Sequence, residues 1–242
     1  GLAASREQAQ SAIAAGRVSI GGVVAGKSAT QVDEAAAIEV DRAGSDYVSR
    51  GAYKLIGALD SFGVDITGLR ALDAGASTGG FTQVLLERGV LMVAAVDVGY
   101  GQLAWSLRGD DRVVVLERTN VRHLSAGDLP FAPDLVVADL SFISLTKVLP
   151  ALVEVAAPDA QWIVMVKPQF EVGRGGVKNG VVVDVARRKQ SLRQVINLLC
   201  ASALQILGVM ESPLRGEKGN VEYLTLASGT SSSHPAEWDG HV

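Results

Sequence analysis

The chain has 242 residues, enough for one sizeable core and a small accessory module. Hydrophobic residues make up 48% and charged residues 20%. No apolar run approaches the roughly 20 residues of a membrane span and no basic segment leads into an apolar signal core, so a soluble, cytoplasmic protein is expected. A net charge of -4 argues against indiscriminate nucleic-acid binding, and any RNA role has to rest on a local basic patch.

Residues 1–41 read as a separate small unit. Ser5 and Gln8 form a capping box for a helix over Ser5 to Ala15, and Gly16 supplies its stop. Arg17 to Ile20 and Val23-Val24 flank Gly21-Gly22 as a hairpin, and Ala36 to Val40 offers a third strand. The unit resembles the small RNA-binding domain shared by a ribosomal small-subunit protein and pseudouridine synthases, through Ser5-Arg-Glu-Gln-Ala, Ala15-Gly-Arg-Val and Lys27. That resemblance makes Arg6, Arg17 and Lys27 RNA-binding candidates. The match is partial, because that family has an earlier helix upstream. Four acidic side chains (Glu7, Asp33, Glu34, Glu39) also outnumber the three basic ones, so weak RNA binding is expected from this unit alone.

Residues 42–48 form a polar linker, and the large domain is expected over 49–228. Ser49-Arg-Gly-Ala-Tyr-Lys opens a helix that runs through Leu59 to Phe62, and it places Arg50 and Lys54 near its start. A lysine on an amphipathic helix is ordinarily solvated. Strands and helices then alternate, the pattern of a mostly parallel seven-stranded sheet with helices on both faces, a Rossmann-like α/β fold. Strands are predicted at Arg70 to Asp73, Met92 to Asp97, Arg112 to Leu116, Leu135 to Asp139, Ile163 to Lys167, Gly208 to Pro213 and Val221 to Ala227. The stretch Val195 to Leu204, which contains the single Cys200, reads as an apolar helix, and its thiol reads as core packing.

The most informative stretch is Leu72-Asp-Ala-Gly-Ala-Ser-Thr-Gly-Gly-Phe81, the end of a buried strand, a glycine turn and a helix start. The dinucleotide fingerprint G-x-G-x-x-G needs a glycine where Ser77 stands, so a pyrophosphate cofactor is disfavoured. Asp97 closes the next apolar run 22 residues after Gly75, where such folds set a carboxylate on ribose hydroxyls. A nucleoside without a pyrophosphate fits both facts, and S-adenosylmethionine is the leading cofactor. The competing reading is a tight turn, since glycine clusters are common punctuation. Candidate cofactor contacts are Asp73, Gly75, Ala76, Ser77, Thr78, Gly79, Gly80, Phe81, Asp97 and Asp139, with Asn120 at the adenine edge.

Two further strands end in Asp139 and Lys167, and in open parallel sheets such strand ends converge on the ligand crevice. Between Gly173 and Arg193 six basic side chains face a single Asp184. Arg174, Lys178, Arg187, Arg188 and Lys189 are the RNA-binding candidates there, against the ordinary reading of a solvated helix face. With aromatic residues at only 5%, RNA recognition by shape and backbone is expected rather than base stacking. Residues 229–242 have little to bury and are expected to be disordered. His123, His234 and His241 lack metal-ligand spacing, so no metal is expected.

Taken together, Ser49-Arg-Gly-Ala-Tyr-Lys, Leu72 to Phe81, Asp97-Val-Gly-Tyr-Gly-Gln-Leu, Ala138-Asp-Leu-Ser-Phe-Ile-Ser, Val166-Lys-Pro-Gln-Phe-Glu and Gly219-Asn-Val-Glu-Tyr resemble the TlyA family, over essentially residues 1–227. Members of that family are similar to FtsJ-type ribose methyltransferases. The resemblance implies S-adenosylmethionine as methyl donor and cytidine 2'-hydroxyls of 16S or 23S ribosomal RNA, or both, as substrate. It also implies a catalytic tetrad, which falls on Lys54, Asp139, Lys167 and Glu222. Some members carry an Arg and a Trp in the linker where this chain has Ser45 and Tyr47, so linker contacts need not carry over. The chemistry asks for such groups, because a ribose hydroxyl is a poor nucleophile and a base must take its proton. Lys167 is the base candidate and Lys54 would orient the hydroxyl or a phosphate, with Asp139 and Glu222 holding the lysines. Burial and a second lysine favour a neutral lysine while nearby carboxylates oppose it, and sequence leaves that balance open. The rival classes are a non-catalytic RNA-binding or ribosome-assembly factor and a membrane-active haemolysin. The joint presence of all four tetrad residues argues against the first, and the lack of a membrane helix argues against the second.

Overall fold

A computed structural model describes residues 2–3, 6–14, 18–25, 27–33, 36–40, 47–216 and 218–229. The chain divides into two compact units, Gly1–Asp46 and Tyr47–Val242. In the smaller one, helix α1 (Arg6–Ala14) accompanies strands β1 (Val18–Ile20), β2 (Val23–Val24) and β3 (Ile38–Val40), which pair antiparallel in the order β2-β1-β3. Gly21 and Gly22 both take positive φ and turn the hairpin. A minimal core of Ala12, Val18 and Ala25 holds the unit together. The Ser5 cap, the Gly16 stop, Arg17 and the linker residues 42–46 lie outside the described residues.

The larger unit begins with Tyr47 and Val48, which the sequence reading puts in the linker. Both pack against the core. The Tyr47 hydroxyl donates to Glu87 at 2.8 Å and the Val48 amide to Gln83 Oε1 at 3.0 Å, so this entry segment is anchored to the third helix below. Helix α2 (Gly51–Phe62) follows, buries Ala52, Leu55, Ala58 and Leu59 at helical spacing, and ends on left-handed Gly63. Then come β4 (Arg70–Ala74), α3 (Gly80–Glu87), β5 (Met92–Val96), α4 (Trp105–Arg108), β6 (Val113–Leu116), β7 (Leu135–Ala138), α5 (Leu149–Val155), β8 (Gln161–Val166), α6 (Pro168–Glu171), α7 (Val185–Ala201), β9 (Leu204–Glu211) and β10 (Tyr223–Gly229).

The sheet order is β6-β5-β4-β7-β8-β10-β9. Neighbours from β6 to β8 are parallel, and β10 runs antiparallel between β8 and β9. Residues alternate strictly between two cores, as the period of two requires. Leu72, Val136 and Val164 pack with α5 and α7 through Leu149, Leu152, Leu192 and Leu199. Ala71, Leu135 and Ile163 pack with α2 and α3 through Leu55, Leu59 and Leu85. Both faces are covered, which is why β7 and β8 read as unbroken apolar runs. Each such leucine contributes about 1.5–3 kcal/mol by leaving water. From β4 the chain winds outward through β5 to β6, then crosses back to β7 on the other side of β4. The crevice beyond the carboxyl ends of β4 and β7 is therefore the switch point where open α/β sheets bind ligands.

Most strand ends differ from the sequence reading by one or two residues, and β9 is displaced further, running from Leu204 to Glu211 rather than from Gly208 to Pro213. Leu204 belongs to a strand rather than to the preceding helix: α7 stops at Ala201, the chain turns at left-handed Ala203 (φ 60°), and β9 starts four residues before Gly208. At the other end, Ser228 and Gly229 remain in β10, with Gly229 paired to Leu204. A Cβ at 229 would overlap the Pro158 carbonyl, which explains the glycine. Residues 230–242 lie outside the described residues. Cys200 is a free thiol packed against the α5–α7 core.

Candidate active site

The glycine turn between β4 and α3 is shaped by its neighbours. The Gly75 and Ala76 amides donate to the Val96 carbonyl at 2.8 and 3.1 Å, drawing the loop over the end of β5. Gly75 has φ 91°, and a Cβ there would stand 2.9 Å from the Asp139 carbonyl oxygen. Gly79 (φ 100°) faces Leu103 and Leu107, and Gly80 touches Ser49 and the Ala52 amide so closely that any side chain would overlap them. The two helix starts, α2 and α3, are thus brought together at the crevice. Ser77 takes a left-handed φ of 49°. Asp97 holds that conformation: its Oδ2 accepts from the Ser77 amide at 2.8 Å and its Oδ1 from Gly99 at 2.7 Å.

Asp73 sits below this loop and not in the crevice. It is wholly buried, its Oδ2 accepts from the Thr82 hydroxyl at 2.6 Å, and its Oδ1 has no partner among the described residues. Burial pushes its carboxyl up to about 7, against the lowering effect of Thr82. Asn120 caps a short turn, accepting from the Arg122 amide at 3.1 Å, and like Gly79 and Asp97 it is not among the residues that line the cleft at the switch point.

A cleft of about 600 Å³ opens at the switch point. Gly75, Ala76, Ser77, Thr78, Gly80 and Phe81 line one wall, and Lys54, Asp139, Lys167 and Glu222 line the floor. These four side chains come from α2, from the residues that directly follow β7 and β8, and from the residue that directly precedes β10, far apart in sequence. They form two ion pairs. Lys54 Nζ lies 2.6 Å from Glu222 Oε2, and Lys167 Nζ lies 2.6 Å from Asp139 Oδ1. The second contact is close in distance but misses hydrogen-bond geometry, and Lys167 also donates to Ser141 Oγ at 3.0 Å. No side chain of the four is more than 19% exposed. Removing one partner of such a pair leaves a buried charge unpaired and costs several kcal/mol, unlike a solvent-exposed surface pair.

The cleft also contains residues the sequence reading did not single out: Ser49, Ser141, Phe142, Gln169, Phe170, Arg215, Lys218 and Asn220. Phe142 is 92% exposed, has φ 64° and lies 5.3 Å from the Phe170 ring. A large side chain in the left-handed region is an outlier that the surrounding loop has to enforce. That loop is tied to α6 through Glu171, which accepts from Ser144 Oγ and from the Leu145 amide at 2.8 Å. The charge of Arg215-Gly-Glu-Lys218 was the available sequence signal for that rim.

The basic candidates do not form one surface. Arg50 lines the cleft. Lys178 is exposed on a tight turn closed by its pairing with Val181, and Val177 and Gly180 of that turn line the cleft. Arg174 contributes backbone to a short helical turn, Arg174–Gly176. Arg187 is engaged structurally: Nη1 donates to the Gly175 carbonyl at 2.8 Å and Nε lies 3.6 Å from Asp184. Arg188 is half-buried, with its Nε shielded from solvent. Lys189 shares a separate face of α7 with Gln190, Arg193 and Gln194. In the smaller unit Arg6 and Lys27 are exposed. No cluster able to hold a metal occurs among the described residues.

The FtsJ-like methyltransferase family model matches residues 47–228. The 16S/23S rRNA (cytidine-2'-O)-methyltransferase TlyA of Mycobacterium tuberculosis is 55% identical over 228 residues, 92% of this chain and 84% of that protein. A solved structure titled as a hemolysin from Streptococcus thermophilus superposes with a TM-score of 0.80 at 37% identity, covering 96% of this chain and 86% of the other. An S-adenosylmethionine-dependent methyltransferase from Listeria monocytogenes shares the fold at a TM-score of 0.57 and 17% identity, over 75% of this chain and 99% of its own. Matched along nearly its whole length, the chain belongs to the FtsJ-like methyltransferase family and, within it, to the TlyA methyltransferases.

Proposed function

We infer that this protein methylates cytidine 2'-hydroxyls of ribosomal RNA with S-adenosylmethionine as donor. The observation that carries this reading is the convergence of two lysine–carboxylate pairs on one cleft beside the Gly75–Phe81 turn. The cytidine and the ribosomal RNA come from the function of its relatives. The cleft suits the donor: Gly75 and Gly80 leave backbone bare where any Cβ would collide, and Asp97 presents a carboxylate beside Ser77. Asp97 would hold the ribose of the cofactor, and the turn from Gly75 to Phe81 would carry the rest of the adenosyl group. Bound there, S-adenosylmethionine supplies an electrophilic sulfonium methyl.

The protein's own task is to position a poor nucleophile and take its proton. In this reading Lys167 Nζ takes the proton of the 2'-hydroxyl as the methyl is transferred, with Asp139 and Ser141 fixing the amine. Lys54, held by Glu222, orients the hydroxyl or a flanking phosphate. Arg50, Lys178, Arg215 and Lys218 around the cleft would meet phosphates, which position a substrate without reading its sequence. The smaller unit, through Arg6 and Lys27, would add RNA contacts. Such a protein acts where ribosomes are assembled, in the cytoplasm. For the haemolysin reading, no helix among the described residues is long and apolar enough to cross a membrane.

The test is incubation with small and large ribosomal subunits from cells lacking the enzyme, using labelled methyl donor. Nuclease digestion and mass spectrometry should find 2'-O-methylcytidine at one position per substrate RNA. Label on a base, or none with either subunit, would overturn the reading.

A further inference from the structure

Glu222 is held by more than Lys54. While Oε2 meets Lys54 Nζ, Oε1 accepts from Gln169 Nε2 at 2.9 Å. A Cβ at Gly216 would stand 2.6 Å from the same Oε1, so the glycine there is what leaves room for the carboxylate. Its backbone is fixed as well, because the Ser212 amide donates to the Glu222 carbonyl at 2.8 Å. Gln169 lies two residues after Lys167, in α6. The orientation of its amide is dictated by chemistry: a carboxylate only accepts, so the NH₂ must face Glu222. Its Oε1 is then left buried with no donor among the described residues, an arrangement that costs stability. A residue kept at that cost is doing something with its other end.

We propose that Gln169 is a positioning residue for the methyl-transfer reaction, holding the Lys54–Glu222 pair in fixed relation to the strand end that carries Lys167. It rests on the methyltransferase reading above. Without the amide, Glu222 can rotate about its last torsion and Lys54 follows it, so the two lysines lose their mutual register. The charged groups around the position are Lys54 from α2, Asp139 and Lys167 from the ends of β7 and β8, Glu222 itself, and Arg215 and Lys218 from the loop before β10.

Two substitutions separate positioning from packing. Gln169→Met keeps length and removes the donor. We expect kcat to fall about 10- to 100-fold, the worth of one hydrogen bond to a charged group, with KM for RNA and affinity for S-adenosylmethionine within threefold of wild type. Gln169→Glu faces Glu222 with a second carboxylate, and the repulsion between them raises the pH at which the pair loses its last proton. At low pH one shared proton restores a donor, and at high pH the pair repels. The ratio of variant to wild-type activity should therefore rise as pH is lowered from 9 to 6. The difference in melting temperature should shrink over the same interval, a readout independent of catalysis. Near-wild-type kcat for Gln169→Met, or a flat activity ratio and a flat melting difference for Gln169→Glu, overturns the proposal. A pH-dependent melting difference in a protein that methylates no RNA would uphold the contact with Glu222 and sink the methyltransferase reading instead.

Discussion

Asp139 and Lys167 follow the neighbouring parallel strands β7 and β8 and meet at 2.6 Å, directly beside the backbone of Gly75. The Gly75–Phe81 turn and the Lys167–Asp139 pair therefore share a wall: the Asp139 carbonyl is what a side chain at position 75 would strike. A change on one side of this contact has to be felt on the other.

Gly75→Ala tests that coupling. The new Cβ would lie 2.9 Å from a backbone oxygen that cannot swing away, at a φ of 91° that alanine avoids. The strain is about 1–3 kcal/mol, and its relief moves the Asp139 strand end. Both S-adenosylmethionine affinity and turnover should fall at least tenfold. Gly101→Ala is the control, with φ 68° and nothing within 4 Å. It should cost only about 1 kcal/mol in stability and leave both functions intact. Calorimetry and single-turnover assays on the two variants decide the matter.

Asp73 gives a pH signature. Its carboxyl is pushed up to about 7 in the fold, above the ordinary value of about 3.9 in the unfolded chain. Between those values the folded state holds a proton that the unfolded state has lost. Stability should therefore fall as pH rises from about 4 to 7 and level off above. Asp73→Asn mimics the protonated acid and can still accept from Thr82. It should melt higher than wild type at pH 8 and lose most of the advantage at pH 5. A pH-independent difference would show that the buried carboxyl stays ionised throughout.

The basic residues should separate by location. Lys178→Glu with Lys218→Glu, at the cleft rim, is expected to weaken RNA binding and reduce the slope of log K against log salt by about one per lost phosphate contact. S-adenosylmethionine affinity should not change. Arg187→Glu should lower the melting temperature, because it breaks the tie to Gly175 and sets a repulsion against Asp184. Filter binding at several salt concentrations checks the first expectation and thermal melting the second. Equal salt slopes for rim and wild-type proteins would remove phosphate binding from the cleft rim.

Much of the fold was legible because it rests on local patterns. Apolar runs marked all seven strands of the larger sheet, and the glycine turn was readable from Gly75, Gly79 and Gly80. Lys54, Asp139, Lys167 and Glu222 could be named from family resemblance, and two of them from their places at strand ends. What sequence hid was local strain and three-dimensional return. Ala203 and Phe142 adopt left-handed backbone that neither residue advertises, so the start of β9 and the exposed ring at the cleft were missed. Asp73 looked like a ligand contact because it precedes the turn, but the strand's alternation points it under the loop, toward Thr82. Gln169 gained its meaning only when β10 brought Glu222 back beside α6. The basic run between Gly173 and Arg193 likewise came apart once α7 turned Arg187, Arg188 and Lys189 to different surroundings.

The most direct test of the central claim is single-turnover methylation at saturating ribosomal substrate, comparing wild type with Lys167→Ala and Lys167→Arg. The alanine variant should lose at least the 10²- to 10⁴-fold typical of general-base catalysis while binding S-adenosylmethionine normally. The arginine variant should fail equally, since a guanidinium keeps the charge opposite Asp139 but cannot give up its proton near neutral pH. Near-wild-type turnover by Lys167→Arg would contradict the account and leave Lys167 as a positioning charge.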